Sequence, residues 1–185
     1  LVLYGDCGSD LEEARSALSG AGEQLPVHIS PIVGTGNQRE LIAALNEIVS
    51  TSESDFLCVM NARLRPATKE WLQRLASIAD RAEVGIVTGK LLRSDGRLAS
   101  GPDHGAGRGP PGEPPLWLER ENSKGYIASL CLDQEVAAVP PELLFAKTSL
   151  LRQLHGLPEH CDGLDAAVRL LCRRITDQGQ RVIWS

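Results

Sequence analysis

Long apolar runs are missing from this sequence. No stretch of its 185 residues approaches the roughly 18 apolar residues that a membrane span needs. The opening residues, LVLYGDCGSD, hold neither a basic segment nor a long apolar one, so no secretory signal is expected there. C-x-x-C pairs are missing too. Five cysteines, at 7, 58, 131, 161 and 172, are odd in number, which disfavours a closed disulfide framework or a cysteine zinc site. Reduced, mostly buried thiols in a cytoplasmic protein are expected instead. A basic excess is likewise absent. The net charge is −5 with acids and bases mixed along the chain, which argues against nucleic acid or an anionic membrane as partner. What is present is ordinary: 42% hydrophobic and 23% charged residues, the make-up of one globular domain over 1–185 with a sizeable core.

Strands and helices alternate through the first ninety residues. An apolar strand opens the chain, and a turn through Gly5, Asp6, Cys7 and Gly8 ends it. Ser9 and Glu12 have the spacing of a capping box ahead of a helix over 10–21. Residues 27–33 read as a second strand, which Pro31 assigns to an edge. A helix follows to about residue 49, with Leu41, Ala44, Leu45 and Ile48 as its apolar stripe.

The stretch 55–72 is the centre of the pattern. A buried strand over 56–60 ends in a polar elbow, Asn61-Ala62-Arg63, and Pro66 leads into an amphipathic helix over 67–79. Chemistry in open α/β sheets collects at the carboxyl ends of strands, so the elbow is the first place to look for a site.

Residues 84–88 are a fourth strand, and 90–99 a hairpin with Asp95-Gly96 at its tip. Residues 101–124 form a Gly/Pro-rich loop, long enough to be a lid or a binding loop. A strand over 135–139 closes on Pro140-Pro141, and 143–154 is apolar apart from Lys147, Arg152 and Gln153. A helix over 164–176, stopped by Gly179, and a last strand over 181–184 complete an α/β sheet with an antiparallel addition.

Two further signals are weaker. Gly34-Thr35-Gly36 follows a strand and precedes a helix, but a dinucleotide fingerprint would need its third glycine at Arg39, so a plain turn is the better reading. His155, His160, Cys161 and Asp162 lie within eight residues without a zinc-ligand spacing, and a polar connecting loop is expected.

SDFLCVMNARLRPATKEWLQRL followed by AEVGIVTGKLLRSDGRL resembles the family 2 glycosyltransferases in the spacing of Asn61, Pro66, Trp71-Leu72, Val84-Gly85 and Asp95-Gly96. LYGDCGSD, the helix from Asn37 through Asn46, Gly125-Tyr126 with 134–139, and 157–184 extend the likeness over nearly the whole chain. The resemblance implies a GT-A-like mixed sheet flanked by helices. It also implies transfer of a sugar from a nucleotide-diphospho-sugar to a glycan acceptor in polysaccharide biosynthesis. In that family an acid pair holds Mg²⁺ or Mn²⁺ against the leaving diphosphate, and a later carboxylate is the base. Carried over, the substrate-binding candidates are Asp6, Arg39, Asn61 and Arg63.

The departures are as informative as the matches. Ala62 and Arg63 stand at the acid-pair positions, so no metal or other cofactor is expected, and Arg63 is the candidate to pair with a diphosphate in its place. Gly163 falls at the base position, leaving Asp162 or Asp165 as candidates. Pro140-Pro141-Glu142 replaces the small residues of the pocket wall. The family's usual first strand and helix are lacking ahead of Leu1, so a fragment of a longer chain, with neighbouring domains or subunits as partners, is expected. Three functions fit: a degenerate, non-catalytic domain with a structural or interaction role, a metal-independent inverting transferase, or a sugar- or nucleotide-binding module.

Overall fold

The computed structural model describes residues 1–5, 8–18, 27–33, 37–104, 121–124 and 130–185. Asp6, Cys7, the Gly34–Gly36 turn, Gly125-Tyr126 and most of the 101–124 loop lie outside the described residues.

The central strands are apolar on both sides, which places them between two helical layers. β1 (Val2–Gly5), β2 (Ser30–Val33), β3 (Phe56–Asn61), β4 (Val84–Thr88), β7 (Gln134–Glu135), β8 (Leu143–Lys147) and β9 (Arg181–Trp184) form a seven-stranded sheet in the order β2-β1-β3-β8-β4-β9-β7. β8 and β7 run against the other five. β1 bonds directly to β3, in parallel, with Tyr4 opposite Asn61. β5 (Leu91–Leu92) and β6 (Leu98–Ser100) are the separate hairpin expected around Asp95-Gly96.

Alternate residues on each strand feed opposite layers, as the two-residue period of a strand requires. On one face Leu57, Val59, Leu144 and Ala146 pack under α2 (Gln38–Thr51), α4 (Thr148–Gln153) and α5 (Leu164–Asp177). On the other, Cys58, Met60, Leu143 and Phe145 pack under α1 (Gly8–Leu18) and α3 (Trp71–Ala79). Phe56 and Phe145 stack with ring centroids 5.3 Å apart across the β3–β8 pair.

Pro31 takes the edge position expected of it. The Ser30 N–H donates to the Leu1 carbonyl, so the next residue turns its nitrogen to the open side of β2, where a proline offers no donor to a foreign strand. No helix among the described residues is long and apolar enough to cross a membrane.

Several elements differ from expectation. Ser9 lies within the first turn of α1, where its backbone is helical, so it is not the N-cap of a capping box. α1 is described to Leu18. α3 begins at Trp71, because 67–70 are turns and bends. α2 buries Leu41, Ile42, Leu45 and Val49, with Ala44 and Ile48 only half-buried, because the helix meets both the sheet and the α4–α5 layer. The strand expected over 135–139 is two residues long, followed by an isolated bridge between Ala138 and Asp103.

The largest gain over the sequence is the division of 143–154 into β8 and α4. That junction also serves as a double cap. Lys147 Nζ donates to the carbonyls of Asp80 (3.0 Å) and Arg81 (3.3 Å) after α3. Arg152 donates through Nε to the Val49 carbonyl (3.0 Å) and through Nη2 to that of Ser52, at the end of α2. Neither helix has a cation in its own last turn, and these two side chains satisfy carbonyls that a helix C-terminus leaves open.

Candidate functional site

β1 connects through α1 to β2 on its outer side, and β2 returns through α2 to β3 on its inner side. α1 and α2 cover opposite faces. The chain therefore changes winding direction between β1 and β3, which is the topological switch point at which open α/β sheets bind ligands. The elbow after β3 stands at the carboxyl side of that point.

The elbow is a tight turn. The Leu64 N–H donates to the Asn61 carbonyl (3.0 Å), and the Arg63 N–H donates to Asn61 Oδ1 (2.9 Å). The amide oxygen that could serve a cation thus caps its own turn. The Asn61 N–H donates to the Glu142 carbonyl (2.8 Å), and the Tyr4 hydroxyl to that of Pro141 (2.9 Å). Pro140-Pro141-Glu142 is by these bonds tied across the ends of β1 and β3.

Ala62 is fully buried with Leu3, Leu11 and Leu72 in the α1–α3 layer, and its N–H donates to the Tyr4 carbonyl (2.7 Å). Arg63 is 71% exposed and its Nε lies 3.5 Å from Asp10 on α1. Arg65, which sequence reasoning missed, binds the carbonyls of Ala62 (2.5 Å) and Leu64 (2.9 Å) and pairs with Glu13 on α1 (3.0 Å). Two guanidinium groups of the elbow are thereby matched by two carboxylates of one helix. Pairs that join segments about fifty residues apart leave no local signal in a sequence.

The other candidates lie on the opposite face. Arg39 is exposed in the first turn of α2, its N–H donating to Asn37 Oδ1 (3.0 Å). Gln38 Oε1 accepts the Leu164 N–H (3.2 Å), which brings the starts of α2 and α5 together and with them Arg39, Asp162 and Asp165. Asp162 is exposed. Asp165 pairs with Arg169 (3.0 Å), which also pairs with Asp103 (2.5 Å). Those bonds, to Asp103 first, raise the Arg169 pKa above its ordinary value. Asp103 in turn accepts the Ala137 N–H at its carbonyl (2.6 Å), so Arg169 anchors the residues that follow the hairpin. Asn61 and Arg63 share one turn, and the two aspartates flank the start of α5. The bonds described join Arg63 to α1, Asn61 to its own turn and to Glu142, and Asp165 to its own helix. Asp6 lies outside the described residues.

A hard divalent cation wants several anionic oxygens. At the elbow it would meet a buried methyl group, an arginine and an engaged amide, and these residues do not fit Mg²⁺ or Mn²⁺. Among the described residues no three His, Cys, Asp or Glu side chains are grouped to hold a metal. In the 155–162 segment Cys161 is buried while His155, His160 and Asp162 are exposed.

Two buried thiols tie the core to pH. Burial pushes Cys58 up to about 12 and Cys172 up to about 11 from a usual 9.0. Both stay protonated in the fold above pH 9, where the unfolded chain releases its protons, so stability falls as pH rises from about 9 toward those values. The slope is about 1.4 kcal/mol per pH unit for each thiol. Urea denaturation between pH 8 and 10 is expected to show it, and a Cys58→Ala/Cys172→Ala protein to lose that part of it.

No protein-family profile matches the chain. A relative from Sinorhizobium fredii (strain NBRC 101917 / NGR234), the uncharacterized protein y4gI, is 28% identical over 141 residues. That match covers 76% of this chain, which spans only 15% of the relative. Among solved structures, A197 from STIV superposes with a TM-score of 0.59 at 11% identity, over 100% of this chain and 80% of its own. The mannosyltransferase PcManGT from Pyrobaculum calidifontis, in complex with GDP-Man and Mn²⁺, gives 0.58 at 14% identity, over 100% and 55%. A Drosophila β1,4-galactosyltransferase 7 mutant, in complex with manganese, UDP-Gal and xylobiose, gives 0.54 at 11% identity, over 99% and 63%. At such identities the likeness concerns the fold: a seven-stranded mixed sheet between helical layers, of the GT-A kind.

Proposed function

We propose that this chain is a glycosyltransferase-like domain of a larger glycan-synthesis protein, and that it serves structure or interaction rather than metal-assisted sugar transfer. One observation carries the reading. At the switch point, where the family's acid pair is expected, Ala62 is sealed into the core and Arg63 faces Asp10. These residues do not hold a metal ion against a leaving diphosphate.

A second reading has its own support. The Arg63 guanidinium is largely solvent-exposed at the switch point, so a diphosphate could displace Asp10 and pair with Arg63, which then stands in for the metal cation. Asp162 or Asp165 would then be the base.

Titration calorimetry with GDP-mannose, UDP-galactose and related nucleotide sugars, with and without Mn²⁺, separates the two. No heat under either condition is the expected result. Metal-independent binding that Arg63→Ala abolishes supports the second reading, and nucleotide release on adding acceptor establishes it. Binding that requires Mn²⁺ overturns both.

A further inference from the structure

The segment between α4 and α5 has few backbone bonds of its own. It opens on two consecutive left-handed residues, His155 (φ 60°) and Gly156 (φ 72°). It then runs through turns and bends to Gly163. His155 and Gly156 donate back to α4, to the carbonyls of Arg152 (2.9 Å) and Leu151 (2.8 Å), and beyond them the attachments come from α2. The Asn46 side chain donates to the Leu157 carbonyl (2.8 Å) and accepts the Leu157 N–H (2.7 Å), and its amide also donates to Glu159 (3.2 Å). Eight residues earlier on the same helix, Gln38 accepts the N–H of Leu164 (3.2 Å), the first residue of α5, where the segment ends. Gly156 makes room for the first of these anchors: a Cβ there would lie 2.3 Å from Asn46 Oδ1.

Between the anchors the segment buries Leu157, Pro158 and Cys161 and exposes His160 and Asp162. Beyond Gly156 the stretch is fixed by side-chain amides and not by a ladder or a helix, the kind of unit that opens below the global unfolding free energy.

We propose that residues 155–163 form a strap that opens and closes on α2 as one unit, with Asn46 as its latch and Gln38 as its second anchor. The closed strap fixes the position of Asp162 at the start of α5, and opening it exposes Cys161 while the sheet stays folded. This does not depend on whether the elbow binds a nucleotide sugar.

Cys161 is a built-in reporter, and the deeply buried Cys58 and Cys172 report global unfolding. The experiment is alkylation of the whole chain with iodoacetamide at pH 8, read for each cysteine by mass spectrometry, in the native protein and in Asn46→Ala. Each thiol is compared with itself, so intrinsic reactivity cancels. Cys161 is expected to react about tenfold faster or more in the variant, with Cys58 and Cys172 changed less than about twofold. Equal acceleration of all three, or none at Cys161, overturns the proposal. Should Asn46→Ala fail to fold, Asn46→Asp retains an acceptor for the Leu157 N–H, loses the two donated bonds, and is read by the same criterion.

Discussion

Replacing Ala62 by aspartate is expected to destabilise the domain by about 3 kcal/mol or more. The methyl group it replaces has no exposure and belongs to the layer built by Leu3, Leu11 and Leu72. The fit is close: a Cβ on Gly5 would stand only 2.9 Å from the Cβ of Ala62. A carboxylate in that position loses its water. The nearby arginine Arg65 is already committed to the Ala62 and Leu64 carbonyls and to Glu13. The midpoint of thermal unfolding should fall by roughly 6–12 °C for a chain of this size. A variant as stable as the parent would mean that the elbow can open to water, and the reading of position 62 as core would be wrong.

Gly85→Val should be comparably damaging, for a reason unrelated to charge. Gly85 lies in β4 under α4 and α5. A Cβ there would meet Ile175 Cγ2 at 2.4 Å, Leu150 Cδ2 at 3.2 Å and Gln180 Cβ at 3.3 Å. The pairing of β4 with β9 shifts register at this residue, between Val84 and Ile86. Ile175 belongs to a fully buried helix face, so relief requires moving α5 as a unit. Overpacking of this kind costs about 3 kcal/mol. Urea denaturation is the measure. Gly85→Ala should give a smaller loss of the same sign, and an unchanged midpoint in both variants would mean that α5 does not sit where it is described.

Much of this was legible in the sequence, and the rest was hidden for identifiable reasons. β3, β4, α5 and β9 showed because each is bounded by turn chemistry or carries a clear period. β8 and α4 were merged because a strand buried on both faces loses its alternation, and an apolar run does not say where strand becomes helix. Trp71 was placed on the right helix, but the four residues before it obey the local turn and not the period.

At the elbow, the spacing from Asn61 to Trp71 and to Gly85 pointed to the fold that the structure has. It did not show that Ala62 is core, or that Arg63 and Arg65 turn to α1. Those are tertiary facts, as are the capping bonds of Lys147 and Arg152 and the hold of Arg169 on Asp103. Asp165 illustrates the limit: a first-turn acid and a catalytic base look alike in a sequence, and only the structure reveals the Arg169 partner.

The most direct measurement of the central claim is a Mn²⁺ titration followed by electron paramagnetic resonance of the free ion, with UDP present and absent. With a buried alanine and an arginine at positions 62 and 63, the free-ion signal is expected to match that of protein-free buffer holding the same nucleotide, through the millimolar range. Stoichiometric uptake of Mn²⁺ that Asn61→Ala abolishes would contradict it.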